Sequence, residues 1–216
     1  VCITSERRCC HQLWQHRRSL VMQTREPLEE FAATEEFLDL DAKNYHVWSY
    51  RQWLLSTFGV AWEKEFSFLA RLLDEDVRNN SAWNQRFFVL ERGFRFAPGA
   101  IARETVYTLS KLAGVPLNES AWNYLTGLAR QDAFAPALFL AATRFATAVA
   151  AERPQCRFAH AFLVDVLSHP RCPPVPDSVL DDAVSLGGSV AEAVVRARKD
   201  LAAMAEKTAA ASKTSS

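Results

Sequence analysis

Residues 41–53 read DAKNYHVWSYRQW and residues 76–88 read DVRNNSAWNQRFF. Both stretches carry Asn four positions before a Trp and Arg three positions after it, as Asn44/Trp48/Arg51 and Asn79/Trp83/Arg86. Outward from these, the tryptophan recurs upstream in HQLWQHR at Trp14 and downstream in NESAWNYL at Trp122, which keeps its asparagine as Asn118. The four tryptophans lie 34, 35 and 39 residues apart, the range in which a helix-turn-helix unit repeats and stacks into a solenoid.

The register within each copy is helical. Trp and the Arg three positions on share a helix face, and Asn at the front suits a helix start, where its side chain accepts from an otherwise unpaired backbone N–H. Repeat signatures encode stacking first. Trp14, Trp48, Trp83 and Trp122 therefore read as core, Asn44, Asn79 and Asn118 as caps, and Arg51 and Arg86 as structural charge partners.

Composition agrees with an all-α chain. Of 216 residues 49% are hydrophobic and only 7 are Gly, and no alternating stretch is long enough to compete with helical periodicity. Lys plus Arg equals Asp plus Glu at 25 each, so no global field draws nucleic acid or an acidic membrane surface. No apolar run approaches the roughly 20 residues that span a bilayer, and the first residues lack the layout of a secretory signal, so a cytoplasmic location is expected. Five cysteines without regular spacing argue against a disulfide framework. Cys9, Cys10, His11 and His16 lack the second ligand pair of a zinc site, and no metal is expected on this chain.

Along the chain, a helix from Trp48 to about Thr57 stops at Phe58-Gly59, and Trp62, Phe66, Leu69 and Leu73 form the apolar stripe of its hairpin partner. A helix through Trp83 ends near Gly93, with Ile101, Leu109 and Leu112 on the following one. Residues 121–129 pair with 138–151, and Phe158, Phe162 and Val166 continue the spacing. Prolines at 170, 173, 174 and 176 predict a connector, followed by a last helical stretch to about residue 205 and a disordered polar tail.

The block from 41 to 53, with those at 76–88 and 118–128, resembles the alpha subunit shared by protein farnesyltransferase and geranylgeranyltransferase type I. The likeness runs from about Gln12 to Asp132 and more loosely to about Leu167. It implies a right-handed solenoid of stacked antiparallel helical hairpins, an alpha-alpha superhelix, over residues 12–168. Residues 1–11 are expected to be an atypical amino-terminal segment, 169–206 a proline-rich connector and carboxyl-terminal helix, and 207–216 a disordered tail. The family's alpha chain begins several hairpins earlier, so this chain is expected to be amino-terminally truncated.

The resemblance also implies an activity. Family members transfer a farnesyl or geranylgeranyl group from its diphosphate to a cysteine thiol near the carboxyl terminus of a CaaX protein. The alpha subunit works as a heterodimer with a beta subunit that holds the catalytic zinc, with magnesium also expected in the holoenzyme; no cofactor is expected on this chain. Matched to the family motif, Tyr45 and His46 are the catalytic candidates beside the isoprenoid diphosphate, and Gln12, Arg17, Asn44 and Arg51 the substrate-binding ones. Where the family has Lys-Asn-Tyr, this chain has Cys9-Cys10-His11, so the lysine that contacts the diphosphate and the neighbouring tyrosine are replaced, and impaired transfer is expected. Two other readings are an alpha subunit of the Rab geranylgeranyltransferase and a non-catalytic helical-repeat scaffold.

Overall fold

Each repeat turns on four residues. A computed structural model describes residues 7–60, 62–169 and 177–186, with the backbone alone for 7–11, 179 and 180. Among these, every regular element is a helix: α1 (Arg7–Thr24), α2 (Pro27–Leu40), α3 (Tyr45–Phe58), α4 (Trp62–Glu75), α5 (Asn80–Arg92), α6 (Pro98–Gly114), α7 (Glu119–Ala129), α8 (Pro136–Glu152), α9 (Arg157–Leu167) and α10 (Asp177–Val184). The chain divides into two compact units, Val1–Arg95 and Phe96–Ser216. The first contains α1 to α5 and the second α6 to α10.

The turns before α3, α5, α7 and α9 are residues 41–44, 76–79, 115–118 and 153–156, and all close the same way. The backbone N–H of the fourth residue donates to the carbonyl of the first, as Asn44 to Asp41 at 3.1 Å, Asn79 to Asp76 at 2.9 Å, Asn118 to Val115 at 3.2 Å and Cys156 to Arg153 at 2.8 Å. The asparagine side chains cap the helices that follow. Asn44 accepts from the N–H groups of His46 and Val47, Asn79 from Ser81 and Ala82, and Asn118 from Ser120, which satisfies donors that a helix start leaves orphaned.

The tryptophan then clamps the turn. Its indole Nε1 donates to the carbonyl six residues back, the second residue of the turn: Trp48 to Ala42 at 3.0 Å, Trp83 to Val77 at 2.8 Å and Trp122 to Pro116 at 2.7 Å. The rings are core, as the sequence pattern indicates, with Trp48 6%, Trp83 1% and Trp122 2% exposed. One polar tip thus fixes the turn while its large apolar body fills the seam.

This turn decides which helices pair. In the first unit α2 packs on α3 and α4 on α5, while α1, α3 and α5 stack side by side. In the second, α6 packs on α7 and α8 on α9, with α7 beside α9, α6 beside α8, and α10 against α8. The sequence pattern placed α3 with α4 and α7 with α8; the close pairs are shifted by one helix, because only the four-residue turn carries the reciprocal bonds that hold two helices face to face. The connections between α1 and α2, α3 and α4, and α7 and α8 differ in length, and the helices after them start on Pro27, Trp62 and Pro136. Proline at a helix start loses a donor that would be unpaired there anyway.

Several expected core positions move by a residue or two. On α4, Leu69 and Leu73 are buried, but Phe66 is half-buried and the face is completed by Glu65, Phe68 and Leu72. On α6, Leu109 is half-buried and Thr105 and Thr108 take the interior, each bonding back to a carbonyl four residues earlier. Gly59 ends α3 in the left-handed region at φ 65°, the role expected of it. α1 starts at Arg7 and runs unbroken into the Trp14 repeat, so helix extends into the segment expected to be atypical. The proline-rich connector, the stretch beyond 186 and the polar tail lie outside the described residues.

Candidate functional site

The strongest polar feature of the first unit is internal. The residue two after each of three tryptophans bonds a glutamate twenty positions earlier in the chain: the Tyr50 hydroxyl donates to Glu30 at 2.6 Å, Gln85 Nε2 to Glu65 at 2.9 Å, and in the second unit the Tyr124 hydroxyl to Glu104 at 2.7 Å. Each bond ties an odd-numbered helix to the even-numbered helix packed on it. Burial, and then the hydrogen bond and charge of Glu30, push the Tyr50 phenol well above its ordinary value of 10.0. Glu30 also takes both branches of Arg17, at 2.8 and 3.1 Å.

Arg51 belongs to the same interior network. It lies 2% exposed, with Nε 2.9 and 3.0 Å from the two Glu65 oxygens and one Nη 2.8 Å from Glu65 Oε2 and 3.1 Å from Glu35. Its other Nη donates to the Phe31 carbonyl at 3.0 Å and to Thr34 Oγ1 at 2.7 Å. The Phe31 and Phe68 rings lie 5.2 and 4.0 Å from its Cζ. Every donor of the fork is committed within the first unit. Asn44 is likewise the α3 cap. Arg17 is held by Glu30, and Arg86 is buried with a 3.2 Å bond to the Phe66 carbonyl.

Tyr45, by contrast, is exposed and its neighbour His46 is half-buried. They occupy the first turn of α3, oriented by the Asn44 cap, with Tyr45 76% exposed and its ring edge-on to His46 at 5.8 Å. Tyr45 stands as a ridge between two hollows. One, of about 210 Å³, lies in the α1–α3 seam and is lined by Trp14, Gln15, Arg18, Tyr45, His46 and Ser49. The other, of about 370 Å³, lies in the α3–α5 seam, where Lys43 and Ser49 stand at Tyr45 and Gln52, Ser81, Asn84 and Gln85 complete the wall. Gln52 Nε2 donates to Gln85 Oε1 at 3.0 Å, so the network that begins at Arg51 and Glu65 ends in this second wall.

The structure therefore brings Tyr45 and His46 together at one hollow and leaves Gln12 exposed on α1, outside the linings of both. Arg18, Lys43 and Gln52 were not singled out as site residues by the sequence. Arg18 sits four positions after Trp14 and Gln52 four after Trp48, so the helical spacing that relates Trp to Arg would have found them if carried one residue further. Among the described residues, no three His, Cys, Asp or Glu side chains converge to hold a metal ion.

The turn chemistry also reveals a fifth copy. Cys156 stands at the cap position and His160 four residues on, with its Nδ1 3.0 Å from the Cys156 carbonyl. The Cys156 thiol lies 3.5 Å from the Pro116 carbonyl, the partner that Asn79 Nδ2 finds at Ala42 in the first unit. A cysteine and a histidine at the Asn and Trp positions hid this repeat from the sequence pattern.

An Asn-capped, Trp-clamped turn joining antiparallel helices, repeated along the chain, defines a helical-repeat protein. Residues 27–58 and 62–93 match the model of the protein prenyltransferase alpha subunit repeat, and these spans are the pairs α2–α3 and α4–α5. Over those residues the chain is similar to the protein prenyltransferase alpha subunit repeat family. Among its relatives, the farnesyltransferase/geranylgeranyltransferase type-1 subunit alpha of Pisum sativum is 42% identical over 73 residues, 33% of this chain and 22% of the relative. The geranylgeranyl transferase type-2 subunit alpha of Mus musculus is 34% identical over 130 residues, 55% of this chain and 22% of the relative. A chain of the solved Candida albicans protein geranylgeranyltransferase-I complexed with GGPP is 28% identical with a TM-score of 0.52, covering 81% of this chain and 66% of that one. The matches thus span about a fifth of the length of these curated relatives. Among the described residues, no helix is long and apolar enough to cross a membrane.

Proposed function

We propose that this chain supplies the alpha-subunit face of a heterodimeric protein prenyltransferase that moves a farnesyl or geranylgeranyl group from its diphosphate to a cysteine thiol near the carboxyl terminus of a CaaX protein. The observation that carries the reading is the Tyr45–His46 pair, which matches the family motif and is displayed on a hollow rather than spent on packing. A phenol and an imidazole there have the chemistry to donate hydrogen bonds to a departing diphosphate as its charge develops. Zinc and magnesium belong, in this reading, to a beta subunit, and zinc there lowers the pKa of the substrate thiol. The assembly works in the cytoplasm. Cys9 and His11, in place of the family's lysine and tyrosine, lower the rate.

Identity to type-1 subunits, 42% against 34% for type 2, favours the CaaX class. The longer span of the type-2 match, 55% of the chain against 33%, keeps the Rab-directed transferase as the second reading.

The test is co-expression with a farnesyltransferase beta subunit, co-purification, and farnesyl transfer to a CaaX peptide, beside a variant carrying Cys9→Lys and His11→Tyr. A complex that transfers, faster in the variant, supports the reading. A complex only with a Rab-type beta subunit moves the second reading ahead, and no complex with either favours a scaffold.

A further inference from the structure

We propose that the hollow in the α3–α5 seam, the one His46 does not line, is a docking site for an extended protein segment that carries an acidic side chain. Its polarity is set from the interior. The Glu65 carboxylate, held by Arg51, can only accept, so Gln85 gives it Nε2 at 2.9 Å and turns Oε1 toward the seam. Gln52 answers with one of its N–H groups, Nε2 donating to Gln85 Oε1 at 3.0 Å. Gln52 is half-buried, and its second N–H and its Oε1 are left uncommitted among the described residues. Gln85 lies 1% exposed, so water does not reach the relay that orients Gln52.

The lining selects the ligand. A fixed amide that shows a donor beside an acceptor is the complement of a peptide unit, whose N–H and C=O call for the reverse pair. The Ser49 and Ser81 hydroxyls and the Asn84 amide stand around it, each without a side-chain partner among the described residues. Lys43 alone of the lining residues is charged; it is exposed, and its ammonium is unpaired among the described residues. A bare anion would face the carbonyl oxygens of Gln52 and Asn84 with a single cation to hold it. A lipid chain would strip water from these amides and give them nothing to bond. A protein segment crossing the seam answers both, with its backbone on Gln52 and Asn84 and its carboxylate on Lys43. The volume, about 370 Å³, is that of a ligand pocket. Stacked repeats present extended surfaces of this kind to their partners, and an amide oriented in advance lowers the cost of ordering on binding. The proposal does not rest on the transferase reading, in which Lys43, Gln52 and Asn84 have no part.

The side-chain amides of Gln52, Gln85 and Asn84 report binding directly in a proton–nitrogen correlation spectrum of the full chain. The probe is an acetylated, amidated Glu-Val-Glu-Val peptide, whose β-branched residues favour the extended form, compared with Lys-Val-Lys-Val and with sodium acetate at equal ionic strength. The acidic peptide is expected to give saturable shifts at Gln52 and Asn84, the lysine peptide to bind about tenfold more weakly, and acetate to leave these amides where they are. Lys43→Gln and Asn84→Ala, both at exposed side chains, are each expected to weaken the acidic peptide about fivefold to tenfold, and Lys43→Gln also to narrow the gap between the two peptides. Lys64→Gln, an exposed lysine outside the lining, leaves binding unchanged. Gln52→Met tests the oriented amide itself; if helical circular dichroism shows that it does not fold, the two exposed variants carry the test. No shift with the acidic peptide, equal binding of the two peptides, acetate moving the same amides as strongly, or wild-type affinity in both Lys43→Gln and Asn84→Ala overturns the proposal.

Discussion

Arg51 and Glu65 meet fork to fork at 2.8 Å with 2% and 1% of their side chains exposed, so a full ion pair crosses from α3 to α4 inside the first unit. Such a pair gives little net stability relative to apolar replacements, yet removing one partner strands the other charge. Glu65→Ala is therefore expected to cost about 3–5 kcal/mol, read as the urea midpoint shift at constant slope. Adding Arg51→Met to it should recover much of the loss, and a double variant as unstable as the single one would contradict the account.

Tyr50 makes stability depend on alkaline pH. Its folded pKa is raised above the unfolded value, so its contribution is fully present below the unfolded pKa of about 10. It is lost as pH rises from there toward the higher folded pKa. Wild type should lose stability above about pH 10 more steeply than Tyr50→Phe, measured by denaturant titration at a series of pH values; parallel curves would rule this out.

Gly93 has no room for a side chain. A Cβ there would lie 2.7 Å from the Trp62 ring and 2.9 Å from the Val89 carbonyl, although its φ of −83° suits any residue. Gly93→Ala is expected to destabilise by about 1–3 kcal/mol in spite of alanine's better helix propensity. The companion Gly93→Ala with Trp62→Leu, which opens the space, should fold more stably than Gly93→Ala alone, as judged by melting temperature.

Exposure separates the site from the scaffold. Tyr45→Phe and His46→Ala should each change stability by no more than about 0.5 kcal/mol. Either should lower kcat/KM of the complex with a beta subunit by up to about a hundredfold. Loss of stability without loss of transfer in these variants would return both residues to packing.

The repeat was legible because its signature residues act locally. Asn44 caps within three residues and Trp48 reaches back six, distances a linear pattern exposes. What escaped the sequence acts across helices. The glutamates that receive Tyr50, Gln85 and Tyr124 lie twenty positions away, and on α4 Glu65 takes the buried place expected of Phe66. The pairing was read one helix out of step because Trp48 and the Trp62 stripe adjoin in sequence, whereas the bonds that close a pair lie in the turn before the tryptophan. At the site, Tyr45 and His46 were found through family likeness. Arg18 was not, since only the folded seam between α1 and α3 distinguishes it from Arg17.

The four-residue turns carry a consequence for engineering. In the first unit the Ala42 carbonyl receives both the Trp48 indole and the Asn79 amide, and in the second the Pro116 carbonyl receives the Trp122 indole and the Cys156 thiol. One lengthened turn would therefore unfasten two repeats at once. The longer connection between α7 and α8 is fastened by other means, since Arg130 bonds Asp165 on α9 and Phe134 is buried against Phe139, so an insertion there would loosen a different pair of contacts.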